Sequence, residues 1–73
     1  MGPVEAKERV GRVLRRERRR AGLTQEELAD AAGIHPTEVS RLERGLRDPR
    51  LSTLLKLARA LQIEVPDLLR DVR

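Results

Sequence analysis

Between Leu23 and Gly45 the chain carries two helix starts and two helix stops, with only Gly33-Ile34-His35 between the helices. This spacing restricts the fold more than any other feature. Thr24-Gln25-Glu26-Glu27 has the form of a capping box, in which the Thr24 hydroxyl accepts from the Glu27 N–H and the Glu27 carboxylate reaches back to Thr24. Leu23 before the cap and Leu28 after it form the matching hydrophobic staple. Leu28, Ala29 and Ala32 give an apolar stripe, and Gly33 supplies a stop. His35-Pro36 then fits an N-cap followed by proline in the first turn, where a missing N–H costs nothing. Val39 and Leu42 lie on one side of this next helix, and Gly45 closes it. Helices this short are not stable alone in water, so both must be held by packing.

The rest of the chain offers the partners. Val10, Val13 and Leu14 recur at helical spacing and predict a first helix from about Val4 to Arg20, stopped at Gly22. Gly11 lies inside it at a helix-propensity cost of about 1 kcal/mol, which points to a close approach by another element. Asp48-Pro49 marks a loop. Leu51, Leu54, Leu55, Ala58 and Leu61 predict a core-facing helix over about Leu51 to Leu61. Pro66 fits the first turn of a short fifth helix ending near Val72. No strand pattern appears. The expectation is an all-α, compact bundle of about five short helices forming a single domain over 1–73. Two short helices joined by a glycine turn at 24–44 are the ingredients of a helix-turn-helix.

Composition narrows the chemistry. With no Cys among 73 residues, disulfides, thiolate zinc sites and thiol nucleophiles are excluded, and with one His a metal site would have to be built almost wholly from carboxylates, so none is expected. No cofactor and no small-molecule ligand is indicated. There is no phosphate-binding glycine loop and no Ser-His-Asp set, so the expectation is that the chain is not an enzyme. No apolar run reaches the roughly 18–20 residues of a membrane span, and no signal peptide is evident, which predicts a soluble, cytoplasmic chain without a membrane partner. A chain this small buries only about 60% of its unfolded surface, so its core is marginal. Sixteen basic residues against twelve acidic ones give a net +4, and all but Lys7 and Lys56 of the sixteen are Arg. Positive charge calls for an anionic partner, and the absence of Phe, Tyr and Trp disfavours stacking on single-stranded nucleic acid. Seven Arg and one Glu between residues 9 and 20 carry more charge than the whole chain's net value. That block reads either as a solvated helix face or as a phosphate-binding surface; its apolar side is too thin for a membrane-surface helix.

Taken in order, Leu23-Thr24-Gln25-Glu26-Glu27-Leu28-Ala29, Gly33-Ile34, Val39-Ser40-Arg41-Leu42-Glu43-Arg44-Gly45, Pro49 and Thr53 to Leu61 resemble the lambda-repressor/Cro-like (XRE-type) helix-turn-helix family. The resemblance covers about Val10 to Leu69. It implies a domain that binds double-stranded DNA, with the helix at about Pro36-Arg44 in the major groove and the preceding helix across the backbone. By that resemblance Pro36, Thr37, Glu38 and Arg41 face the bases. Arg41 has the fork that grips guanine, whereas Glu38 either accepts from cytosine or simply places charge at the helix start. Gln25, at a helix N-terminus, is expected at phosphate, with Thr24, His35 and Ser40 beside it and Arg44, Arg47 and Arg50 clamping the backbone. Arg18 and Glu43 occupy positions that can form a structural pair. Glu17 and Gln62 depart from the family pattern, the first standing for an apolar residue and the second for a helix-ending glycine.

These expectations describe a sequence-specific transcriptional regulator, a repressor in the leading reading. The alternative keeps the fold as a protein-interaction adaptor or antitoxin-like module that binds DNA weakly. One such domain offers a small interface, so a homodimer on two half-sites is expected. Leu57, Leu68, Leu69 and Val72 are the expected symmetric apolar contact.

Overall fold

The computed structural model describes residues 5–69, and among them every regular element is a helix. These are α1 (Ala6–Arg20), α2 (Gln25–Ala32), α3 (Pro36–Glu43), α4 (Leu51–Leu61) and α5 (Val65–Leu68). The expected start of the first helix at Val4 and the expected end of the fifth near Val72 lie outside the described residues.

The local signals act as their chemistry dictates. The Glu27 N–H donates to Thr24 Oγ1 at 3.0 Å, and the Thr24 N–H donates to Glu27 Oε1 at 2.9 Å, which closes the capping box. The Thr37 N–H donates to His35 Nδ1 at 3.1 Å, so the imidazole caps α3 ahead of Pro36. At the end of α2, Gly33 takes φ 70°, and the Ile34 N–H reaches the Ala29 carbonyl at 2.9 Å. Only a residue free of a Cβ adopts this left-handed turn without cost, and the turn aims α3 away from α2 after three residues. In α1, Arg18, Arg19 and Arg20 complement the negative end of the helix dipole.

The core joins all five helices. Leu14 on α1, Leu28 on α2, Leu42 on α3, Leu57 on α4 and Leu68 on α5 are almost wholly buried. Packing places α1 on α3, α2 on α3 and on α4, and α5 on α4 and α1. Gly11 explains how α1 and α3 come so close: a Cβ there would strike the Leu42 carbonyl oxygen and stand 2.9 Å from that of Glu43. The helix-propensity cost of this glycine is what allows the end of α3 to lie against α1.

The expected inward face of α4 needs correction. Leu54, Ala58 and Leu61 are buried as expected, but Leu51 and Leu55 are 66% and 54% exposed. One core surface covers only part of an apolar arc that runs from Leu51 through Leu57 to Leu61, and Leu51 and Leu55 fall at its uncovered edge.

Candidate nucleic-acid interface

The second and third helices are fixed to one another by a polar network as well as by the core. Arg18 donates from Nε to Glu43 Oε2 at 2.6 Å and from Nη2 to Oε1 at 3.0 Å, a bidentate pair between α1 and the end of α3. Its Nη1 donates to the Leu23 carbonyl at 2.8 Å, which ties down the segment entering α2. Gln25 Nε2 donates to Glu43 Oε1 at 3.1 Å. The side chains of Arg18 and Glu43 are only 11% and 2% exposed. The hydrogen bond to Glu43 holds the Arg18 pKa above its ordinary value. The Arg18–Glu43 pair was expected from the family resemblance; the roles of the Leu23 carbonyl and of Gln25 were not, since both depend on how α1, α2 and α3 meet.

Gln25 therefore stands differently from the expectation. Its amide is turned inward to Glu43 and the side chain is half-buried. At this end of α2 the Glu27 and Leu28 N–H groups are taken by Thr24, which leaves those of Gln25 and Glu26 as the helix-start donors that no intrahelical carbonyl can reach. Thr24 itself is exposed, with its hydroxyl engaged in the cap.

On α3, Val39, Leu42 and Glu43 face inward, and the opposite side is left to Pro36, Thr37 and Arg41, all exposed. The Arg41 side chain has no partner among the described residues. Glu38 is half-buried, and its Oε2 lies 3.7 Å from Arg47 Nη1. The pair links the start of α3 to the loop that follows it, an arrangement the sequence did not announce. His35 is exposed at the N-cap, and Ser40 is half-buried. The Ser40 carbonyl accepts from Arg44 Nε at 3.3 Å, which folds that guanidinium along the end of α3. Arg44, Arg47 and Arg50 are all exposed, the last as the residue preceding α4.

The expected dimer contact needs correction too. Leu57 and Leu68 are 0% exposed, because α4 and α5 use them to close the chain's own core, so neither can touch a second copy. Leu69 is 38% exposed, and Val72 lies outside the described residues. The exposed apolar surface instead belongs to Leu51, Leu55 and Leu46. Leu55 borders a cleft of about 310 Å³ that Ala31, Ala32 and Gly33 also line. Among the described residues no helix is long and apolar enough to cross a membrane.

Comparison with known proteins agrees with this geometry. A family model described as "Helix-turn-helix" matches residues 14–68. The control protein C.SmaI of Serratia marcescens is 41% identical over 66 residues, which cover 90% of this chain and 79% of that protein. The HTH-type transcriptional regulator ImmR of Bacillus subtilis is 38% identical over 60 residues, covering 82% of this chain and 47% of ImmR. The crystal structure of the restriction-modification controller protein C.AhdI from Aeromonas hydrophila matches with a TM-score of 0.83 and 42% identity, covering 85% of this chain and 94% of that one. The clp gene regulator ClgR from C. glutamicum matches with a TM-score of 0.87 and 34% identity over 97% of this chain and 91% of that one. With most of its length matched by the family model and its fold matched by these regulators, the chain belongs to the helix-turn-helix family.

Proposed function

We propose that this helix-turn-helix transcriptional regulator binds a specific duplex DNA site by laying α3 in the major groove, and that it acts as a repressor. The observation that carries this reading is the division of α3 into a buried side and an exposed side where Arg41 stands without a partner among the described residues. An unpaired guanidinium on a rigid helix is preorganised to grip the O6 and N7 of a guanine. Pro36 and Thr37 lie on the same exposed helix start, and Glu38 reads a cytosine amino group or positions Arg47. Arg44, Arg47 and Arg50, with Thr24, His35, Ser40 and the backbone N–H groups heading α2, take phosphates and set the register. Gln25 acts through Glu43, holding the start of α2 at the end of α3.

Two copies bind together. One small domain covers too little DNA for tight binding, whereas a pair on half-sites one helical turn apart combines two contacts. Leu51 and Leu55, on one side of α4, form the symmetric apolar contact; of the residues expected from the sequence, Leu69 remains exposed.

The test is a comparison of two variants on a selected site and on random duplex. Arg41→Ala is expected to lower the preference for the site by about 1–3 kcal/mol. Arg47→Ala is expected to weaken both and to reduce the salt slope by about 1. Wild-type binding with no salt dependence and no site preference would overturn the reading in favour of a protein adaptor.

A further inference from the structure

One face of α1 carries charge that the reading helix does not use. Val10, Gly11, Val13 and Leu14 turn the other side of α1 inward. The 3.6-residue period of the helix sets Arg12, Arg15 and Arg19 away from them, and all three are exposed. With Arg16 and Arg20 they line an open cleft of about 460 Å³, and every residue of that lining is an arginine. Glu17, 3.3 Å from Arg20 and 3.5 Å from Arg16, tempers the charge on that flank. Among the described residues no carboxylate pairs with Arg12, Arg15 or Arg19. Arg12 and Arg16 stand four residues apart, as do Arg15 and Arg19, a like-charge spacing that destabilises a helix until an anion covers it.

This face does not look toward DNA held on α3. The first helix lies on the inward side of α3: a Cβ at Gly11 would meet the carbonyl oxygens of Leu42 and Glu43, and Arg18 pairs with Glu43. A duplex on the outward side of α3 therefore has α3 between itself and α1. At about 100° per residue, the middle of the arginine face falls about 110° round α1 from Gly11. It stays open when α3 is occupied.

We propose that the arginine face of α1 binds the backbone of a second DNA duplex while α3 holds the first, so that one copy bridges two segments of DNA. The inference rests on the DNA-binding function of α3. A protein partner needs an apolar, charge-poor centre to its contact, and a membrane-surface helix needs apolar residues beside its basic ones; the lining offers neither. A single strand is held by stacking on aromatic side chains, and the chain has no Phe, Tyr or Trp. The cleft is open, which suits an extended polyanion better than a small enclosed anion. From Arg12 to Arg19 the helix advances about 10 Å, close to the axial rise of three phosphates on one strand of a duplex. Every basic residue from 9 to 20 is Arg, whose fork matches a phosphate in two hydrogen bonds. Phosphate contacts carry no sequence preference, so the second duplex is taken whatever its sequence.

The experiment immobilises a duplex carrying the site that α3 prefers, loads it with protein, and adds a labelled duplex of random sequence at about 50 mM salt. The wild-type complex is expected to capture the labelled duplex, with a salt slope of about 2–3 per bound copy at ~0.9 per neutralised phosphate. R12Q/R15Q/R19Q is expected to load the immobilised site and to unfold in a single thermal transition as the wild type does. It should capture no more labelled duplex than the bare immobilised DNA. R15Q alone lowers the slope by about 0.9. K56Q/R59Q, which removes charge from exposed positions of α4, keeps the capture. No capture by the wild-type complex would overturn the proposal and leave binding through α3 intact. Capture that persists in the triple variant would assign the second duplex to α3 of a paired copy and overturn it equally. Wild-type protein that fails to load the immobilised site would instead overturn the role of α3, and the bridge with it.

Discussion

Glu43 is the residue on which the most separate functions meet. It receives Arg18 from α1 and Gln25 from α2 while it ends α3, so a single carboxylate fixes three helices relative to one another. A buried ion pair of this kind contributes more to orientation than to net stability, because desolvation offsets most of the attraction. Removing one partner is different. Glu43→Ala leaves Arg18 uncompensated and is expected to cost about 3 kcal/mol in urea unfolding, the low end of the buried-pair range because Arg18 keeps some contact with water. The double variant Arg18→Met/Glu43→Leu is expected to be less damaging than the single one, and a double variant that is worse would contradict this account. Glu27 supplies the pH dependence. The hydrogen bonds from the Thr24 N–H and hydroxyl side of the capping box hold its pKa below the ordinary carboxylate value. A carboxylate lowered in the folded state adds stability above its unfolded pKa and loses that stability as pH falls through the folded value. Glu27→Gln is therefore expected to flatten the acid limb of thermal stability between about pH 5 and about pH 3, measured by calorimetry. The raised pKa of Arg18 acts in the opposite direction and only at strongly alkaline pH, so it leaves this window unchanged.

At the scale of elements, four helices end in the same way. Leu23, Ile34, Leu46 and Ile63 each donate a backbone N–H to the carbonyl five residues earlier, and the preceding residue is left-handed in each case. Three of those preceding residues are Gly22, Gly33 and Gly45, but the fourth is Gln62 at φ 58°. The left-handed region crowds a Cβ against the following carbonyl at a cost of about 1–2 kcal/mol. Gln62→Gly removes that crowding and returns part of the gain as unfolded-state entropy, for an expected net stabilisation of about 0.5–1 kcal/mol. The melting temperature should rise by about 2–8 °C for a chain of this size. An unchanged or lower value would mean that the Gln62 side chain makes a compensating contact. The apolar residues Leu23, Ile34 and Ile63 that follow these turns pack against the core, so each stop also begins the next packed segment. This is why the stops and starts could be placed from the residues alone: caps and left-handed turns are decided by atoms within five residues of one another.

The molecule as a whole assigns its leucines in a way that no local pattern reveals. Leu54, Leu57 and Leu61 on α4 are buried, while Leu51 and Leu55 on the same helix are not. Leu57→Ala is expected to cost about 2–5 kcal/mol and to unfold a chain with so small a core. Leu51→Lys/Leu55→Lys is expected to leave the melting transition of the monomer within about 0.5 kcal/mol while shifting sedimentation from dimer to monomer. A dimer that survives this double change would place the contact elsewhere. The sequence by itself determined the five helices, the Thr24 and His35 caps and the glycine turn between α2 and α3, because each follows from short-range geometry or helical period; the Arg18–Glu43 pair, 25 residues apart, and the outward place of Arg41 were expected from the family resemblance. The sequence could not assign Leu57 and Leu68 to the core and Leu51 and Leu55 to the surface, nor turn Gln25 inward to Glu43. An apolar arc shows that a helix has something to bury, but which part of the arc meets its own chain depends on where the other helices lie. That was decided in the tertiary structure, by the close approach of α3 at Gly11 and by α5 closing over α4.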